Sequence, residues 1–134
     1  MFRTALVIAT LAVGGAAFPA YAQELVGQYH TTFVNSNGLP QPVWLTIQNL
    51  SPGEQGAIVS YSKPRQCKLF FEYGGNINGE HFLYRDNFGG NGDWCHEKYN
   101  QGVILKIFPQ NGRDTKYELI VDKKIIESQV VSRQ

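Results

Sequence analysis

The sequence predicts an all-β fold: one small antiparallel meander β-barrel of about eight strands, with a β-sandwich as the alternative. Three observations predict it. Beyond residue 22 no long stretch carries the three-and-four spacing of an amphipathic helix. Short β-branched and aromatic runs alternate with polar residues instead, and Gly, Pro, Asn and Ser interrupt them every 8 to 15 residues. The runs are also many for so short a chain, and closing the sheet on itself removes its exposed edges.

The chain opens with features of an export signal. Arg3 is the only charge before an apolar run of 14 residues, Ala5 to Phe18, which Pro19 ends. Ala20-Tyr21-Ala22 then supplies the small residues of a cleavage site before Gln23. This predicts a signal peptide over 1–22, cut between Ala22 and Gln23, and a secreted domain over 23–134. A spanning helix needs about 20 apolar residues, so no stable membrane anchor is expected. The predicted location is periplasmic or extracellular. Cys67 and Cys95 are the only cysteines, and an oxidising compartment leaves them one pairing. A bridge closing a loop of about 30 residues contributes roughly 3 to 4 kcal/mol in the chain-entropy description.

Along the domain the first strand reads from Leu25 to Phe33, with Tyr29, Thr31 and Phe33 on one face. Asn35 to Pro40 is turn chemistry. Val43 to Asn49 alternates Val43, Leu45 and Ile47 against Trp44, Thr46 and Gln48. Ser51-Pro52-Gly53-Glu54 turns into a strand from Ala57 to Ser62, and Lys63-Pro64-Arg65 turns again. Cys67 to Tyr73 sets Cys67, Leu69, Phe71 and Tyr73 on one face. Gly74-Gly75-Asn76 reads as a turn, followed by a short strand including Ile77. His81 to Arg85 places Phe82 and Tyr84 opposite Leu83 and Arg85. Asn87 to Asp93 is irregular, with three glycines. Gly102 to Phe108, Lys116 to Val121 and Ile125 to Ser132 complete the set, with short connections that favour antiparallel pairing.

Charge excludes several partners. Without Arg3, 11 of the 12 basic residues remain against 11 acidic ones, and they are spread along the chain. Nucleic-acid binding needs clustered Lys and Arg to release counterions, so no nucleic acid is expected. His30, His81 and His96 are scattered, and His30 and His81 read as outward or edge positions. No pair has the spacing of a metal site on a strand, and no metal or cofactor is expected.

Gly27-Gln28-Tyr29 at the first strand and Arg133 at the last resemble the calycin group of small barrels, such as lipocalins and avidins. Those commonly start with Gly-x-Trp and lay a basic side chain from the last strand over that ring. Here Tyr29 stands in the place of the Trp, and its ring can accept the same cation–π contact. The resemblance covers about four positions. It implies ligand binding in or at the mouth of a barrel, and it carries over no ligand residues.

The candidate binding surface is the loop from Asp86 to Trp94, which runs into Cys95-His96-Glu97. Long loops in compact domains are often functional, and this one has Phe88 and Trp94 at its ends and a disulfide at one side. Arg85, Phe88, Asp93, Trp94 and His96 are the candidate binding residues, because aromatic and Arg side chains carry most contact energy. No catalytic motif is present: there is no G-x-S-x-G, no H-E-x-x-H and no phosphate-binding loop. The expected function is that of an exported, non-enzymatic binding module for a protein or small ligand, including the role of an inhibitor or neutralising protein. The alternatives are a small exported hydrolase or isomerase with a barrel-mouth site, and a structural envelope protein. Amino-terminal sequencing of the secreted product is expected to begin at Gln23; a product still carrying Met1 would contradict the cleavage reading.

Overall fold

The computed structural model describes residues 25–85, 92–99 and 101–134. The predicted cleavage site at Ala22 and Gln23, and the candidate residue Phe88, lie outside the described residues. Eight antiparallel strands follow one another round a closed barrel, which decides between barrel and sandwich. They are β1 (Gly27–Val34), β2 (Pro40–Ile47), β3 (Gln55–Tyr61), β4 (Cys67–Ile77), β5 (Glu80–Arg85), β6 (Val103–Pro109), β7 (Asp114–Val121) and β8 (Lys124–Arg133). A short helix, α1 (Asp93–Lys98), lies between β5 and β6.

The strand period of two sorts the side chains. Leu45, Val59, Leu69, Leu83, Leu105 and Leu119, one from each of six consecutive strands, are fully buried inside. Eight strands leave an interior just wide enough for side chains to fill, and these residues with Val43, Phe71 and Ile107 fill it. At the end where β1 enters and β8 leaves, the Arg133 guanidinium lies 5.1 Å from the centre of the Tyr29 ring. Its Nη2 donates to the Tyr29 hydroxyl at 2.8 Å, and that hydroxyl donates to the Leu25 carbonyl at 2.9 Å. The Tyr29 ring thus carries a cation–π contact with Arg133.

Three local expectations are corrected. The first concerns Gly74-Gly75-Asn76, which is not a turn. β4 continues through it to Ile77, with a bulge between Tyr73 and Gly75. The reason is crowding: a Cβ on Gly74 would sit 2.6 Å from the Tyr84 ring and 2.8 Å from the Phe82 ring. Glycine here lets β5 aromatics cross the backbone closely, which is the other common meaning of a strand glycine.

The second correction is His81, which is neither outward nor at an exposed edge. It shares the inward parity of Leu83 and is only 4% exposed. Burial is tolerable because its Nδ1 meets the Tyr73 hydroxyl at 2.8 Å. Its Nε2 is buried with no hydrogen-bond partner among the described residues. His30 does face outward, half-buried, with its ring 4.3 Å from that of Trp44.

The third correction is α1 itself, which forms where no helix was expected. Its six residues put Cys95 against the barrel, where it bonds Cys67 with Sγ–Sγ 2.04 Å and Cα–Cα 5.9 Å. The expected disulfide is therefore present. Gly92 precedes the helix with φ +97°, and a Cβ there would overlap the Cβ of Cys67. Only glycine lets the chain pass so close to the bridge with that backbone.

Burial lowers the His81 pKa from its ordinary value, so the folded state keeps a neutral ring where the unfolded chain takes up a proton. The stability this supplies is complete above about pH 6.5 and is lost as pH falls from there towards the lowered value, by at most about 1.4 kcal/mol per pH unit. Denaturant unfolding at pH 8 and pH 5 is expected to show a smaller difference for His81→Phe than for the natural chain. Equal differences would show that this ring is not the acid-sensitive group.

Candidate functional site

The disulfide-bearing end of the barrel is built round a buried charge. On β8, Glu127 takes the inward parity shared by Gln129 and Val131 and is 8% exposed. Its Oε2 accepts from the Tyr61 hydroxyl at 2.6 Å and from the Tyr117 hydroxyl at 2.7 Å. Its Oε1 pairs with Arg65 Nη1 at 2.7 Å. A buried carboxylate needs such donors, because an unpaired one is strongly penalised by desolvation. The carboxylate is satisfied by two phenols and one guanidinium.

Arg65 comes from the β3–β4 turn, which Gln41 holds in place. Fully buried, Gln41 donates from Nε2 to the carbonyls of Pro42 and Ser62, both at 2.8 Å, and accepts from the Arg65 amide at 3.2 Å. The guanidinium then lies 3.8 Å from the Trp94 ring centre, 4.8 Å from that of Tyr61 and 5.1 Å from that of Phe33. Three aromatic faces and one carboxylate therefore hold a single cation, an arrangement that a desolvated cation–π site favours. Trp94 also meets Tyr61 and Tyr99 edge-on at 5.6 and 5.7 Å.

The phenols are held in their neutral, donating form. Burial raises the Tyr61 pKa well above its ordinary value, and Tyr117, Glu127 and Tyr99 add to the rise. Burial also raises Tyr117, reinforced by the neighbouring Glu127 carboxylate. Tyr99 is raised chiefly by burial and by Glu127, with Tyr61 and Arg65 opposing.

Above this network lies an open groove of about 670 Å³. One bank is the end of β1 and the following turn, residues 33–37; the other is β8, residues 126–129. Pro64, Arg65, Trp94, Lys98, Tyr99 and Val121 complete its described lining. The volume falls in the range of ligand pockets, and the mixture of aromatic, amide and cationic groups can bind by stacking, hydrogen bonding and charge.

Of the sequence-predicted site residues, Trp94 lies in this groove, half-buried. It is wedged under Arg65 and is not a projecting anchor. Asp93 and His96 are exposed on α1 and are not among the described lining residues. Arg85 ends β5, half-buried, and burial lowers its pKa; it too is outside the described lining. Among the described residues no contact joins the His96 ring to a carboxylate. Arg65, Tyr61, Tyr99, Tyr117 and Glu127 were not singled out from the sequence. One signal was available: in Ile125 to Val131 the alternation puts Glu127 on the face of Val131, an acid at a core position that requires a buried partner.

Removing the carboxylate while keeping its neighbours leaves a guanidinium and two phenols without their shared acceptor. Glu127→Ala is expected to lower unfolding free energy by about 3 to 5 kcal/mol, with Glu127→Gln losing less. Denaturant unfolding measures both, and a loss below about 1 kcal/mol for Glu127→Ala would mean the network does not hold this end together.

Comparison of the chain with family models, with curated proteins and with solved structures finds no match.

Proposed function

We propose that this chain is an exported, non-enzymatic binding module that takes its ligand in the groove at the disulfide-bearing mouth of the barrel. The observation that carries this reading is the contrast between a filled interior and an open, aromatic-lined groove outside it. Leu45, Leu69, Leu83 and Leu105 close the interior completely, so an occupant sits on the mouth. The site is rigid in the way recognition surfaces need. Trp94 is pinned by α1 and the Cys67–Cys95 bridge, and Arg65 by Gln41 and Glu127. A preorganised site loses little conformational freedom on binding, which favours affinity.

Two further points support the same reading. The only carboxylate in the groove's described lining is Glu127, and it is occupied by three donors. General acid–base work needs a group free to meet the substrate's proton. The disulfide is compatible with an oxidising compartment, where an exported chain acts.

The test uses affinity capture from the native secretion context with the full chain expressed for secretion. The control is the double variant Val34→Asp/Ile126→Asp, whose original side chains are exposed at 72% and 47% and can be changed without disturbing the core. The natural chain is expected to retain a partner that the variant loses by at least tenfold. The same partners at the same level on both would reject the groove as the site.

A further inference from the structure

The groove coincides with a defect in the barrel's closure. Seven of the eight strand junctions are paired over four or more residues. The eighth, β1 with β8, is paired only at Tyr29↔Arg133 and His30↔Ser132. Continued in that register, Thr31 would face Val131, Thr32 Val130, Phe33 Gln129 and Val34 Ser128. None of these pairs forms, and Phe33, Val34, Ser128 and Gln129 instead stand on opposite banks of the groove. Arg65 bridges the two banks: its guanidinium lies 5.1 Å from the centre of the Phe33 ring on β1 and 2.7 Å from the Glu127 carboxylate on β8.

Among the described residues, the open seam leaves β8 from Lys124 to Val131 laddered to β7 alone. An unpaired strand edge is a template for another extended chain, and proteins usually guard one with proline, inward charges or bulges. Of these guards the edge has an inward charge, Glu127, already held by its three donors, and a bulge opposite Leu119 and Ile120. It has no proline, and the seam carries exposed apolar side chains: Val34 at 72%, Val130 at 50% and Ile126 at 47%. Its outward faces suit the alternate side chains of an added strand.

We propose that the occupant of the groove is an extended peptide segment of a partner protein, which adds as a strand to the free edge of β8. This rests on the groove reading above and names the class of ligand. The seam favours a single chain over a second copy of this barrel, because its two banks belong to one barrel and the flank of another folded barrel would have to meet both at once. Charge narrows it further. The charged residues of the groove's described lining are Arg65, Lys98 and Glu127; Arg65 and Glu127 neutralise each other, which among these leaves Lys98 to meet an acidic side chain or a terminal carboxylate. Main-chain hydrogen bonds supply affinity in this mode of recognition, and the flanking side chains supply selectivity.

The probe is a linear peptide selected from a random library on the full chain expressed for secretion, counter-selected on Val34→Asp/Ile126→Asp. Three results are expected. Amide hydrogen exchange slows within residues 124–131 when the peptide binds. Methylating single backbone nitrogens of the peptide weakens binding at least tenfold at alternate positions and little between them, as strand pairing requires. Selected peptides are rich in Asp and Glu, and Lys98→Glu weakens them severalfold. A peptide that needs the groove but neither protects β8 nor responds to nitrogen methylation would overturn strand addition while leaving the groove as a site. A selection that yields no groove-dependent peptide, beside a partner still captured through the groove, would overturn it too. Concentration-dependent protection of β8 without peptide would assign the edge to self-association and reject the peptide.

Discussion

At the mouth of this barrel one guanidinium and one carboxylate, both nearly out of water, hold five structural elements in register. Arg65 brings the β3–β4 turn; Glu127 brings β8; Tyr117 adds β7, Trp94 adds α1 and Phe33 adds β1. A buried ion pair of this kind contributes little net stability, because desolvation offsets most of the attraction. Its consequence is geometric. Each donor has one acceptor to reach, so the elements that carry them have few alternative positions. The cluster joins β1 and β8 through Phe33 and Glu127 at the stretch where the two strands share no ladder pairs.

The two ends of the barrel use the same chemistry to opposite effect. At the far end Arg133 lies over Tyr29 and bonds its hydroxyl, and there β1 and β8 are paired. At the mouth Arg65 lies among three rings, and the strands part. The difference is where the cation originates. Arg133 belongs to β8 and folds back along the seam it closes. Arg65 arrives from another turn and enters the seam from outside. A disulfide and a glycine without room for a Cβ then fix α1 beside it, so the opening is held by covalent and steric constraints as well as charge.

Much of the fold was legible because a strand's period of two is written directly in the residues. Val43 to Ile47 and Cys67 to Tyr73 show it and lie in strands that bury one of the two alternating sets; the run read from Gly102 to Phe108 is a strand from Val103. Legibility failed where a residue type has two physical uses. Glycines at 74 and 75 mark turns as readily as close crossings, and the aromatics that decide the matter are on the neighbouring strand. Histidine at 81 is usually solvated, and only the Tyr73 hydroxyl makes its burial tolerable. Asp93 to Lys98 is too short for helical periodicity to register.

The candidate site divides in the same way. Trp94 and the two cysteines could be chosen from the sequence, because a rare aromatic beside a constrained loop stands out locally. Arg65 and Glu127 could not be paired, since they are 62 residues apart and each is ordinary in its own setting. What the sequence determined by itself was the strand alternation, the single possible disulfide and the charge balance, all properties of neighbouring residues or of composition. Which strands meet, which polar residues share a buried cluster and where the barrel stays unzipped were decided only in the tertiary structure. Those outcomes depend on contacts between distant segments, and desolvation makes each contact's energy depend on all the others around it.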